Sequence, residues 1–467
     1  MNNNNTPTTL FLLSFAFCLW IYKMLYIIYT IIKSYISQHF FIKTILNTKK
    51  SLFRGEHLKM NTIGIITEYN PFHKGHAYQM EQAKKTFQAD NIVVVMSGNF
   101  VQRGTPAIVD KYTRTRMALA AGADFVFELP VMYATSSAES FAFAGISILN
   151  RLGFIDGVSY GCETPSIDNI KEIAFLLCTE PSAFKQELQA ALKKGFPYPV
   201  ARKQALFSYY SKKENFSTKK TVIEALLSNP NNILAIEYQK ALFQLQSNLI
   251  PIPILRKGSN HHSDKISTNF PSASALRKEI LTATAFPHIT DYLVQETVPI
   301  LQAQYKKTFP ITENDFSSLL YYKLAQEVDY TAYLDVSETL SNKIKKQLSY
   351  AKNFQTLAMD IKSKELVYTR ICRSLLHILV NITKEGFVET PPYVRLLGFR
   401  KSKSSLLHKT SDIPIITKVA NAKKILPDSA FSLFEKDLFA THLYNQICYE
   451  KYGTIQKTEY EQGPIIG

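Results

Sequence analysis

The chain has 467 residues, 46% of them hydrophobic and 20% charged, which excludes a disordered or low-complexity protein and favours two or three domains with packed cores. Its net charge of +16 points to an anionic partner such as nucleic acid or a membrane surface. Residues 1–59 hold seven Lys and Arg against one Glu, so +6 of that excess sits there and +10 remains for the rest.

Five scattered cysteines, Cys18, Cys162, Cys178, Cys372 and Cys448, form no CxxC pair. That spacing speaks against a zinc site and a disulfide framework and fits a reducing compartment, hence the cytoplasm. Residues 10–32 are apolar enough to resemble a membrane span, but Lys23 falls in the middle, where a charge is costly. No small-residue cleavage site follows, as a signal peptide would need. The segment is rich in Asn, Ile, Lys, Tyr and Phe, and Arg54-Gly55-Glu56 can be encoded by a purine-rich ribosome-binding sequence ahead of Met60. The expectation is that residues 1–59 are a leader outside the translated protein, with a membrane anchor as the competing reading. Trp20, within it, carries no information.

From Asn61 onward strand and helix signals alternate. Residues 62–67 (TIGIIT) read as a strand ending in a turn punctuated by Asn70-Pro71. A helix is expected over 76–86, a β-branched strand over 92–96, and a helix over 111–121. A strand over 125–129, a helix over 137–152 and a strand over 158–160 follow. Long helical patterns span 167–193 and 201–227, and 249–254 (LIPIPI) reads as a last strand. A loop over 256–270 leads to a helix near Ser272. This alternation predicts an α/β fold, a Rossmann-like doubly wound parallel sheet with its ligand beyond the carboxyl ends of the strands. Past a boundary near 286–315 helical patterns dominate, at 317–327, 337–352, 361–383 and 429–449. The expected division is therefore a catalytic domain at 60–285 and a mainly helical domain at 286–467.

The motif with the most chemistry is His73-Lys74-Gly75-His76, between a strand-and-turn and a helix. A helix start offers free amides and a positive dipole end to phosphate, and Gly75 permits close backbone approach. Two imidazoles and Lys74 supply donors for charge developing on phosphates during nucleotidyl transfer. Ser97, ending the second strand in Ser97-Gly98-Asn99, is placed to hold a small carboxylate or phosphates. Gly161 offers bare backbone to a nucleoside. Asn231 and Asn232 either bond the nucleotide or cap the helix that follows. Arg256 and Lys257 leave the last strand toward phosphates. Ser274 and Arg277, at a Ser-rich helix start, suit a triphosphate. Asp110 and Glu128 are the acidic candidates for Mg²⁺, which needs only one or two carboxylates beside phosphates. His261-His262 lack further ligands at metal spacing and are read as loop residues, so no protein-held metal site is expected.

These signals lie inside a longer pattern. Glu68-Tyr69-Asn70-Pro71-Phe72-His73-Lys74-Gly75-His76, Ser97-Gly98-Asn99-Phe100-Val101-Gln102-Arg103-Gly104, Asp110-Lys111, Gly122-Ala123-Asp124 and Glu128-Leu129-Pro130 closely resemble the bacterial tRNA(Met) cytidine acetate ligase family, whose fold is similar to the HxGH nucleotidyltransferases. The resemblance runs from Met60 to the end of the chain. It implies that acetate and ATP form acetyl-adenylate and pyrophosphate, and that acetyl then passes to N4 of the wobble cytidine of elongator tRNA(Met). It implies an ATP site drawn from Ile66, Thr67, Glu68, Tyr69, Asn70, Pro71 and Phe72, the HKGH motif itself, and Ala77, Tyr78 and Gln79.

For tRNA, the expected surface comprises Lys362, Lys364, Arg370, Arg373 and His377 on a long helix, with Arg395, Arg400, Lys401 and Lys403 after it. Phosphate contacts from such residues give salt-dependent affinity. No stable protein partner is inferred. Two other readings stay open at this point: an HxGH adenylyltransferase for a phosphorylated cofactor precursor, and a non-catalytic RNA-binding protein. The long basic second half speaks against the former, and intact His73, Gly75, His76 and Arg277 against the latter.

Overall fold

Short β-branched runs build the sheet at the centre of the protein. The structure, a computed structural model, describes residues 61–164, 166–211, 216–257, 270–409 and 411–467. The leader and His261-His262 lie outside the described residues.

The strands are β1 (Thr62–Thr67), β2 (Asn91–Ser97), β5 (Phe125–Leu129), β6 (Gly157–Cys162) and β7 (Ile250–Leu255), joined by β8 (Val394–Phe399), β9 (Ile415–Ile416) and β10 (Ile465–Ile466). β3 (Phe100–Val101) and β4 (Thr105–Pro106) form a separate small hairpin. The main sheet runs β10-β8-β5-β2-β1-β6-β7, with β9 on β8. β5, β2, β1, β6 and β7 are mutually parallel. From β1 the chain winds outward to β2 and β5, then returns to lay β6 on the other side of β1. The crevice at the carboxyl ends of β1 and β6 is thus a topological switch point, where such sheets bind ligands.

Period-two alternation sends successive residues to opposite faces. Val93 and Val95 pack into one core with Phe125 and Phe127, while Ile92, Val94 and Met96 pack into another with Ile63 and Ile65. Both faces are covered by helices, as a parallel sheet requires. β7 carries Pro251 and Pro253, which lack donors, and it lies at the sheet's edge where none is missed.

The expected strands are all present, with shifts of a residue or two at their ends. Two of the expected helices are interrupted at identifiable turns, and the pattern over 201–227 is described as the helices Tyr198–Ser211 and Phe216–Leu227. The pattern over 167–193 divides into Ile167–Thr179 and Ser182–Lys193, because Glu180 adopts φ +39° ahead of Pro181, which disfavours helix at the preceding residue. The pattern over 361–383 is helical only over Tyr368–Leu379, since Ile361 closes the preceding helix Phe354–Ile361 and Lys362 turns out of it at ψ 137°.

The sheet does not stop at residue 285. β8 pairs antiparallel with β5, Phe399 opposite Phe125 and Arg395 opposite Glu128. Phe316, Leu320, Leu357, Ile371 and Leu375 of the helical region share a core with Val93 and Phe127. Residues 60–467 accordingly cluster as one compact unit. Among the described residues no helix is long and apolar enough to cross a membrane.

Candidate active site

The turn after β1 ends at His73, which caps the helix Lys74–Phe87. Its Nδ1 accepts from the Gly75 N–H at 3.0 Å, and Nδ1 of His76 accepts from the His73 N–H at 3.3 Å, a reciprocal capping box made of two imidazoles. A nitrogen that accepts cannot carry the proton, so both rings are held as the Nε2–H tautomer. Burial, with Arg256 and Arg277 nearby, lowers the pKa of His73 to about 3. Burial, then His73 and Arg256, hold His76 well below its ordinary value. Both imidazoles are therefore neutral near pH 7 and offer one N–H each.

The ring centroids lie 3.9 Å apart, tilted by 32°, and both rings face one cavity of about 310 Å³, within the range of roughly 300–1,000 Å³ for small-molecule sites. Tyr69 and Phe72 pack edge to face at 4.7 Å, and both rings lie against His76. Tyr69 adopts φ +48°. Phe72 is fully buried behind the motif, and Pro71, Phe72 and Ala77 are not among the residues lining this cavity.

Four helices present their first turns to the cavity: Lys74–Phe87 through His73 and His76, Ala138–Arg151 through Ala138 and Phe141, Pro230–Gln244 through Asn231, and Ala273–Thr282 through Ser272 and Ser274. Their positive dipole ends sum there. Arg103, Arg256 and Arg277 add three guanidinium groups to the wall, against Glu68 as its carboxylate. Arg277 is fixed by donating to the Asn70 carbonyl at 2.7 Å and to Ser274 Oγ at 3.1 Å. The arrangement suits a polyanion.

Of the remaining expected residues, Ile66, Thr67, Glu68, Tyr69, Asn70, Gln79 and Gly161 also line this cavity. Gly75, Tyr78 and Lys257 line a small adjoining recess, with the Lys257 ammonium 4.7 Å from the Tyr78 ring centre. A Cβ on Gly161 would lie 3.2 Å from Arg256 Cγ, so the missing side chain gives Arg256 room across the strand end. Missed by sequence reasoning were the apolar wall residues Phe141, Tyr160, Leu234 and Tyr238, which look like any core residues, and Gln102, which lay in the quoted pattern beside Arg103.

Several expectations are corrected. The Lys74 ammonium is exposed and donates to the Asp291 carbonyl at 2.5 Å, away from the cavity. Ser97 is fully buried and does not line this cavity, and its carbonyl accepts from Arg114 at 3.0 Å. Asn232 is buried and accepts from the Glu163 and Thr164 N–H groups at 2.9 and 3.1 Å, so it shapes the loop after β6. The first-turn amide of Gly75 is not bare, since His73 caps it. Asp110 caps the helix Lys111–Ala120, and Glu128 is ion-paired to Lys111 at 2.7 Å, so both carboxylates are engaged elsewhere and neither lines the cavity. Among the described residues no group of three His, Cys, Asp or Glu could hold a metal.

The expected tRNA surface is split. His377 is buried and bonded to Leu334 and Thr135, and Arg395 is buried in an ion pair with Glu459. Arg373 is bound to Asp335 at 2.9 Å. Arg400, Lys401 and Lys403 follow β8, which runs antiparallel to β5, so they emerge at the end of the sheet opposite His73. The Arg400 N–H accordingly meets the carbonyl of Asp124, the residue before β5, at 2.8 Å. A strand of this length separates the two ends by about 20 Å. Lys362 and Lys364 remain exposed, and Arg370 half-exposed, on the segment entering the helix Tyr368–Leu379.

The HIGH Nucleotidyl Transferase family model matches residues 60–460. The tRNA(Met) cytidine acetate ligase of Thermoanaerobacter sp. (strain X514) is 42% identical over 391 residues, covering 82% of this chain and 95% of that protein. The ligase of the same name from Caldanaerobacter subterraneus subsp. tengcongensis is 40% identical over 413 residues, 87% of this chain and all of the relative. Among solved structures, Thermotoga maritima TmcAL in its apo form superposes with a TM-score of 0.81 at 28% identity, covering 87% of this chain and 99% of that one. The same protein bound with alpha-thio ATP gives 0.80 at the same identity and coverage. With the switch-point cavity, its paired imidazoles and these matches in hand, the chain belongs to the tRNA(Met) cytidine acetate ligase family of HIGH nucleotidyltransferases.

Proposed function

We propose that the protein is an ATP-dependent ligase that activates acetate as acetyl-adenylate and transfers the acetyl group to N4 of the wobble cytidine of elongator tRNA(Met), giving N4-acetylcytidine. We place the reaction in the cytoplasm. The observation that carries this reading is the pair of neutral imidazoles, His73 and His76, that line one cavity together with Arg103, Arg256, Arg277 and four helix starts.

In the first half-reaction a carboxylate oxygen attacks the α-phosphorus, and the bond from that phosphorus to the bridging oxygen of pyrophosphate breaks. Negative charge grows on oxygens around the phosphorus. The residues present match that demand: His73 and His76 donate without needing to lose or gain a proton, and Arg256 and Arg277 balance the departing charge. In the second half-reaction N4 attacks the acyl carbon, AMP leaves with the electron pair, and N4 gives up a proton. Magnesium carried by phosphate oxygens fits the wall, with Glu68 as its carboxylate, and would supply charge neutralisation. One Glu68 oxygen is already occupied by the Gln102 N–H at 3.0 Å. We further propose that residues 60–285 supply the nucleotide site, and that Lys362, Lys364 and Arg370 lead RNA phosphates toward it.

The test is pyrophosphate exchange into ATP across a panel of carboxylates, followed by addition of tRNA(Met). Exchange that depends on acetate, with acetyl transfer only after tRNA is added, is the expected result. Turnover of a phosphorylated cofactor precursor, or RNA binding without exchange, would overturn the reading. Because Lys74 is occupied at the surface by a carbonyl, a contact contributing about 1 kcal/mol or less, Lys74→Ala is expected to lower the exchange rate by less than about fivefold.

A further inference from the structure

The nucleotide cavity has a neighbour. A second cavity of about 510 Å³ shares Arg103, Ser274 and Arg277 with it as a common wall. Its far side is formed by Tyr368 and Thr369, the first residues of the helix Tyr368–Leu379, with Glu313 and Gln355 beside them. The Gln355 amide donates to Glu313 at 2.8 Å and accepts from Asn314 at 2.9 Å, so this side is a polar edge set in fixed orientation. Two features hold the cavity's shape. Gly104, at φ +75°, brings the Arg103 turn against the backbone of that helix, where an added Cβ would lie 2.2 Å from the Arg373 nitrogen. Arg277 is tied to Asn70 and Ser274 at the shared wall.

Cations flank the cavity-lining residues along the chain. Lys278 is exposed at its rim, Lys362 and Lys364 are exposed in the segment entering the helix, and Arg370 lies two residues beyond Tyr368. A macromolecular acceptor cannot follow a mononucleotide into an enclosed site. It can project one unstacked nucleoside through an adjoining opening while its backbone stays outside on cations. An aromatic ring beside fixed hydrogen-bonding groups is what a lone base needs in place of its lost stacking.

We propose that this second cavity is the acceptor-nucleoside site, taking a single unstacked cytidine of RNA against Tyr368, with Arg103 and Arg277 bordering both cavities where N4 meets the activated acyl group. The inference rests on the ligase reading of the preceding section. In it Tyr368 acts in the second half-reaction alone.

The test uses the full-length protein and two readouts, acetate-dependent pyrophosphate exchange and acetyl transfer to tRNA(Met). For Tyr368→Ala, exchange is expected to stay within about twofold of the parent. kcat/KM for tRNA is expected to fall by about 10–100-fold, as loss of one base-stacking platform predicts, and Tyr368→Phe should restore most of it. Leu281→Trp, filling the same cavity from an exposed position, should block transfer and spare exchange without disturbing the core. Unchanged transfer in both variants would overturn the proposal. So would a raised KM for acetate or ATP in exchange, which would assign the cavity to the first half-reaction. Failure of the parent protein to exchange at all would instead sink the ligase reading.

Discussion

His76→Ala is expected to lower acetate-dependent pyrophosphate exchange by about 10²–10³-fold, the effect of deleting one preorganised donor to developing oxyanion charge. The affinity for tRNA should change by less than about twofold, since no phosphate-binding cation is touched. The same substitution removes half of the capping box, so the protein should also lose about 1 kcal/mol of stability. His73→Asn separates the two effects, because asparagine still caps the helix while it no longer reaches the cavity as an imidazole does. The pH profile offers a second check. His73 is already neutral at its lowered pKa of about 3, so exchange should not decline as pH falls through about 6.5, where an ordinary histidine would charge. A tRNA affinity that fell in step with exchange would mean that the imidazoles serve the RNA rather than the nucleotide.

Lys111→Met is expected to cost about 3–5 kcal/mol of stability, the scale for stripping one partner from a buried ion cluster, read as a fall in the urea midpoint. The Lys111 ammonium is fully buried and lies 2.7 Å from Glu128, 2.9 Å from Glu459 and 3.0 Å from Thr441 Oγ1. Arg395 and Tyr112 complete the cluster through Glu459. Burial alone would raise the Glu459 pKa, but Lys111 and Arg395 overcome it and hold the carboxyl at about 2, against an ordinary 4.5. A depressed acid contributes its full stabilisation above its unfolded pKa and loses it as pH falls through the folded one. The parent should therefore lose this contribution between pH 4.5 and about 2. The gap between parent and Lys111→Met should narrow across the same window. A midpoint unchanged by the substitution would show that the cluster is balanced without its lysine.

The parallel strands were legible because each is a short apolar run bounded by turn residues, and the HxGH turn because its residue types have few other uses at a strand-to-helix corner. β8 was not. VRLLGF has no period-two alternation, since both of its faces are buried, and its Arg395 reads as a surface charge until Glu459 is seen beside it. His377 failed for a related reason: a three- and four-residue spacing places it on a face with Arg370 and Arg373, but not on which side of the core that face lies. Of the three donors expected at the motif, the two imidazoles turned inward because His73 caps the Gly75 amide and His76 caps that of His73, while Lys74 followed its own helix surface outward. The acidic candidates Asp110 and Glu128 could not be decided from sequence, because an N-cap and a buried ion pair look like metal ligands until their partners are visible.

β8 also bears on how the molecule is made. Its partner β5 leaves the ribosome early, yet the residues that cover β5's outer edge arrive only after more than half of the chain has been added. During that interval the nascent sheet presents a row of unpaired amides and carbonyls on a hydrophobic strand, the usual template for intermolecular association. Early chaperone engagement during synthesis would shield that exposed strand.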